Sequence, residues 1–306
     1  MDPYTRKTKT WLDSRFKKTS ETGIYYAHQP IYGFRKDHFD PSYASRYIPT
    51  YQIMKSLSRF KFDSLLDVGG GEGYKAYIAK QLFGAKVENS DLSSEACKRA
   101  EEIFHIKSTS ADIHELPFAD NEFDVIICSE TLEHVAEFNK AINEILRVAK
   151  KAVVITVPHE DQSIIDKNIR EDEPHGHIHS FDLKSFDFLK SRGYDVMSKK
   201  ILSKLLLFCT SFIEEPKKEY NQLKKWPKII YDIYNLCMRL LSGTFGVKMM
   251  VFLIALDSFV CRFTSAYSGI CCIILKDKSC YGKKSRKVSV ARVMNCKVPY
   301  YYLNEY

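Results

Sequence analysis

At 306 residues with 45% hydrophobic content, the chain can bury a full core, which excludes a disordered or fibrous protein. The net charge of +8 is uneven: eight Lys and Arg lie beyond position 275 against Asp277 and Glu305, so the body carries no charge field of nucleic-acid size. Nine cysteines without a C-x-x-C pair exclude a zinc ribbon and a disulfide framework and point to a reducing compartment.

The polar start Met1-Asp2-Pro3-Tyr4-Thr5-Arg6-Lys7 has no apolar h-region, so a cytoplasmic location is expected. Residues 1–42 are polar and aromatic, and His28 to Arg35 is turn-rich. That segment either caps a site, with Tyr32 in a substrate pocket, or packs its aromatics on the surface. Tyr47, Ile48, Tyr51, Ile53, Met54 and Leu57 give one apolar face to a helix over 43–59.

Leu65-Leu66-Asp67-Val68 closes a predicted strand over 63–68, followed by Gly69-Gly70-Gly71-Glu72-Gly73 and the start of a helix over 73–83. Glycines at 69, 71 and 73 permit positive φ and leave no Cβ between main chain and ligand. A dinucleotide fingerprint fits the looser frame Gly71, Gly73, Ala76, but position 74 is tyrosine. Asp67 and Glu72 would repel a pyrophosphate, and no Lys or Arg enters before Lys75.

Strands near 85–90, 105–109, 123–128 and 152–157 alternate with helices near 93–104 and 137–150, which predicts a parallel sheet covered on both faces. Asp91, 18 residues after Gly73, suits a carboxylate that takes ribose hydroxyls; Glu88 is the second choice, and a plain helix N-cap is the alternative reading of Asp91. A helix capped by Asp182 is predicted over 181–192 and a strand over 194–201. Residues 202–262 read as helices interrupted by Pro216, Pro227, Gly243 and Gly246. The uncharged run Met249 to Leu256 is too short to span a bilayer. Ser268 to Leu275 is the last strand, and the tail beyond is expected to be loosely ordered.

The fourth strand ends in Cys128-Ser129-Glu130-Thr131-Leu132-Glu133-His134-Val135. Together with the glycine turn, Asp91 and Asp112-Ile113, this segment makes 60–200 resemble the class I S-adenosylmethionine-dependent methyltransferases, in particular the type 11-like small-molecule group. The resemblance implies an α/β fold with a Rossmann-like seven-stranded mixed sheet of order 3-2-1-4-5-7-6, the last strand antiparallel. It implies S-adenosylmethionine bordered by Gly69, Gly71 and Gly73, with Asp67 supporting the turn and Asp91 and Leu92 at the ribose. Asp112 would accept from the adenine amino group beside the Ile113 backbone, and the Cys128 carbonyl would face the methionine amino group.

Methyl transfer is an in-line displacement, so alignment and water exclusion, worth roughly 7–11 kcal/mol, outweigh acid–base chemistry unless the acceptor is a hydroxyl. Base candidates at the strand ends are His134, Glu133 and His159, although His134 also reads as a helix-terminal histidine bonded to backbone. His175, His177 and His179 would share one side of an extended segment, as in a metal site. By the resemblance they shape the acceptor pocket instead, with His177 and His179 at the substrate and no metal.

No Asn/Asp-Pro-Pro-aromatic segment and no Pro-Cys occur, which by family analogy argues against nucleic-acid bases as acceptors. The expected layout is an N-terminal cap at 1–58, a cofactor-binding core at 59–201, a helical insertion at 202–267, a closing strand at 268–276 and a basic tail at 277–306. The expected activity is methylation of a hydroxyl or amine on a sugar or secondary metabolite. A lipid or quinone acceptor, or a nucleoside-binding protein without turnover, are the alternatives. A monomer or homodimer is expected, with no specific nucleic acid; a solvated tail is weighed against one that binds RNA or an anionic membrane.

Overall fold

The computed structural model describes residues 1–17, 43–204, 247–282 and 288–296, with single positions between 233 and 245. A seven-stranded sheet is formed by β1 (Ser64–Val68), β2 (Lys86–Asp91), β3 (Ser108–Ser110), β4 (Phe123–Ser129), β5 (Ala149–Pro158), β6 (Asp195–Ser203) and β7 (Tyr267–Leu275). Its order is β3-β2-β1-β4-β5-β7-β6, as expected from the resemblance. The first five strands are parallel, and β7 runs antiparallel between β5 and β6.

Every residue of the central strand β4 is buried, which accounts for the apolar run Val125-Ile126-Ile127-Cys128 at its centre. Alternation along the strands sends Leu65, Val125, Val154 and Cys271 into one core, and Leu66, Ile126, Val153 and Cys272 into the other. The adjacent cysteines thus serve opposite faces of the sheet, and both are free thiols.

The helices are α1 (Pro3–Phe16), α2 (Tyr43–Leu57), α3 (Tyr74–Phe83), α4 (Ser94–Phe104), α5 (Phe138–Val148), α6 (Gln162–Glu171), α7 (Val247–Phe263) and α8 (Val290–Met294). Neither α1 nor α6 was among the predicted elements. In α1, Asp2 accepts from the Thr5 amide at 3.0 Å and Pro3 occupies the first helical turn, a cap and start pair legible in the sequence. It buries Thr5, Thr8, Leu12 and Phe16.

The helix predicted over 181–192 shrinks to a 3-10 segment, Asp187–Arg192. Asp182 accepts from the Lys184 amide and the Ser185 hydroxyl, which closes a local turn in place of a helical cap.

The tail also departs from expectation. Val290, Val293 and Met294 of α8 are buried in the same core as Tyr47, Phe60 bridges to Tyr281, and the Tyr74 hydroxyl donates to the Cys296 carbonyl at 3.0 Å. Apolar residues spaced through the basic stretch give it a docking face that net charge conceals. Most of the insertion and the turn-rich segment with Tyr32 lie outside the described residues.

Candidate active site

Beyond the carboxyl ends of β1, β2 and β4 lies a cavity of about 540 Å³, the place where open α/β sheets hold ligands. The turn after β1 forms its floor. Gly69 and Gly71 line the cavity with φ of +68° and +55°, and a Cβ at Gly69 would collide with the Thr131 side chain. The Gly71 amide donates to Asp91 Oδ2 at 2.8 Å and the Ser93 amide to Oδ1 at 2.8 Å, so the acid closing β2 is clamped to the turn. Burial pushes the Asp91 carboxyl up, and these two amides hold it down in part.

One end of the cavity has apolar walls, from Leu12 and Phe16 of α1 to Ala111, Ile113 and Leu116, with Asp91 and Asp112 as acceptors between them. Asp112 accepts from His114 Nδ1 at 2.6 Å and from the His114 amide at 3.0 Å. The side-chain bond is the main reason its carboxyl lies below the usual range. His114 Nε2 accepts from the Glu137 amide at 3.1 Å, which fixes the ring with its proton on Nδ1.

The other end is polar. Glu130, Thr131, Glu133 and His134, which follow β4, line it together with His175 and His177. Two of these residues sit in left-handed backbone, Glu130 at φ +54° and His175 at φ +58°, as is common where a fold fixes side chains for function. The His134 and His175 rings stack at 3.6 Å between centroids. Burial, followed by repulsion from Glu130, pushes the Glu133 carboxyl well up. Burial and the neighbouring imidazoles hold His134 well below the ordinary histidine range, so it is a neutral ring at pH 7. Lys75 supplies positive charge beneath them and also lines the cavity.

Of the residues singled out from sequence, Gly69, Gly71, Asp91, Leu92, Asp112, Ile113, Glu133, His134 and His177 border this one space. Asp67 and Cys128 are wholly buried behind it, and Gly73 caps α3, where it packs on Ala100. His159 is not brought to the cavity: its Nδ1 bonds to the Phe181 carbonyl at 2.6 Å and its ring stacks on Tyr267. His179 is likewise tied to the Val135 carbonyl at 2.6 Å, away from the lining. The three alternating histidines do not share one side, because left-handed His175 breaks the extended chain that this arrangement requires. Thr5, Thr8, Arg46, Thr50, Lys75, His114 and Glu130 also line the cavity but were not singled out from sequence. Only the Asp2-Pro3 helix start pointed toward the first two.

The family described as "Methyltransferase domain" matches residues 66–157, the stretch from the glycine turn to the end of β5. The uncharacterized protein MJ0638 of Methanocaldococcus jannaschii is 30% identical over 168 residues, half of this chain and 71% of that protein. The chain belongs to the class I S-adenosylmethionine-dependent methyltransferases. The norajmaline N-methyltransferase of Rauvolfia serpentina is also 30% identical, over 121 residues that make up 36% of this methyltransferase and 41% of the plant protein. This chain thus spans less than half of that relative's length. The geranyl diphosphate C-methyltransferase of Streptomyces coelicolor shares the fold at a TM-score of 0.52 and 15% identity, covering 90% of this chain and 98% of that one.

The methyltransferase's cofactor, S-adenosylmethionine, suits the donor set of the cavity. Acceptors at Asp91 and Asp112 match a diol and an amino group, and the apolar walls between them match a purine. The surplus of carboxylates over cations suits a positively charged sulfonium better than a phosphate.

Proposed function

We propose that the chain methylates a hydroxyl or amine of a polar small molecule, held at the end of the cavity formed by Glu130, Glu133, His134, His175 and His177. The observation that carries this reading is the division of one cavity into an apolar end with two separated carboxylates and a polar end of carboxylates and imidazoles. Gly69, Gly71, Asp91, Leu92, Asp112 and Ile113 are proposed to hold the cofactor, which supplies an electrophilic methyl group.

The remaining task falls to the protein. The Gly71–Asp91 clamp holds the floor still, α1 and α2 exclude water, and the polar end orients the acceptor lone pair. Neutral His134 can accept a proton, but its depressed basicity suits an amine, or a hydroxyl already hydrogen-bonded to a carboxylate. An amine acceptor also accords with the plant relative's name.

A lipid or quinone acceptor is the second reading. It is favoured by Phe252, Leu256, Phe259 and Phe263, which form an exposed apolar stripe along α7 in the proposed insertion at 202–267. No helix among the described residues is long and apolar enough to cross a membrane.

Calorimetry with S-adenosylhomocysteine, followed by release of that product from S-adenosylmethionine in the presence of sugars, amino alcohols and alkaloid amines, tests the proposal. Turnover only with prenylated acceptors would replace it with the second reading.

A further inference from the structure

Three side chains at the polar end converge more closely than an acceptor pocket requires. Glu133, His134 and His177 each present one ligand atom, and these atoms lie within 4.8 Å of one another. Ligands about 2.0–2.2 Å from a single ion stand roughly 3–4 Å apart, so side-chain motion alone would close the set.

Both rings are already oriented for coordination. His134 Nδ1 bonds to the Gly176 carbonyl at 3.1 Å and His177 Nδ1 to Glu160 Oε2 at 2.7 Å, which leaves Nε2 of each ring with its lone pair toward other partners. Metal-bound histidines typically give their second nitrogen to a carbonyl or carboxylate in this way.

Glu133 adds an independent observation. The residue is 1% exposed and lines the cavity, yet its Oε2 has no hydrogen-bond partner among the described residues. A buried acceptor without a donor is costly, and a cation would satisfy it. The Ile178 amide donates to the Glu133 carbonyl at 2.8 Å, which holds the two ligand-bearing segments in register.

We infer that Glu133, His134 and His177 bind one divalent first-row transition cation, with Glu160 as the residue that positions His177. Two imidazoles and a carboxylate favour Mn²⁺, Fe²⁺ or Zn²⁺ over Ca²⁺. Three protein ligands leave coordination positions open to the cavity. On the proposed reading of this cavity, on which this part rests, an acceptor hydroxyl would occupy one of them and lose its proton to water more readily, water taking the place of His134 as base because the free ring nitrogen of His134 then holds the cation. Its oxygen then bonds to the methyl carbon, while the pair from the broken C–S bond stays on sulfur.

The test is calorimetry of the full chain, stripped with EDTA, against MnCl₂ and ZnCl₂, with the electron paramagnetic resonance of Mn²⁺ as a second readout. One ion per chain is expected. His177→Ala and Glu133→Gln should each weaken it more than tenfold, and Glu160→Gln, which leaves all three ligands in place, by roughly 10–100-fold. S-adenosylhomocysteine affinity, measured on every variant, reports that the fold is retained. Absence of a binding heat for both metals, or equal affinity in wild type and His177→Ala, overturns the cation site. Product binding without a cation would leave the methyl-transfer reading standing, whereas cation binding without product binding or turnover would uphold the site and remove that reading.

Discussion

The amide of Gly71 donates to the carboxylate of Asp91 at 2.8 Å, tying the turn after β1 to the end of β2 across 20 residues of chain. One acid therefore has two tasks. It fixes the cavity floor, and it presents its remaining lone pairs to whatever lies above that floor.

Asp91→Ala removes both. The expected result is a loss of S-adenosylhomocysteine affinity of roughly 1.5–3 kcal/mol, or about ten- to a hundredfold, read by calorimetry. Unchanged affinity would mean that the ribose is held elsewhere.

Gly69 combines a φ of +68° with the Thr131 side chain against its α-carbon. Gly69→Ala should destabilise the fold by about 1–3 kcal/mol in urea denaturation. Adding Thr131→Ala should recover the part due to collision and leave the part due to backbone conformation.

Burial pushes the Asp67 carboxyl up to about 7 from an ordinary value near 3.8. The folded state therefore holds this proton where the unfolded chain has released it. The favourable contribution is complete below about pH 3.8 and is lost as pH rises to about 7. Urea stability measured across this window should fall less steeply in Asp67→Asn than in wild type. Identical slopes would show that Asp67 is ionised in the fold.

Arg99 and Glu72 form an ion pair at 3.4 Å with side chains only 2% and 0% exposed, and the guanidinium lies over the Phe16 ring of α1. Breaking the pair with Glu72→Ala should cost about 3–5 kcal/mol, whereas replacing both partners by leucine should cost much less than the sum of the single changes. A double-mutant cycle in denaturant measures the difference.

Helix α1 is proposed to act as a lid. Its Asp13 accepts from the Ser93 hydroxyl at 2.6 Å, and Lys7 pairs with Asp172. Deleting residues 1–17 removes Leu12 and Phe16 from the cavity wall, and the lost apolar contact should weaken product binding about tenfold or more. Calorimetry on the truncated chain reads this directly, and thermal unfolding separates it from loss of fold.

Local chemistry carried much of this protein's design on its own. The glycines after an apolar run, the β-branched stretch before Cys128 and the acids closing the second and third strands each impose a conformation or a burial on their own few residues. A parallel sheet and the place of Asp91 at the end of its second strand could therefore be inferred without coordinates, whereas the strand order and the part of Asp112 followed from the family resemblance. The polar end could not. Glu133 and His134 meet His177 and Glu160 only because β4 and β5 are neighbours and left-handed His175 redirects the chain between them. A histidine's role depends on which groups take its two ring nitrogens, and His159, His177 and His179 differ in just that respect. The periodicity of a sequence encodes which face of an element is buried, whereas the partner of a buried polar group is chosen by the packing of distant elements.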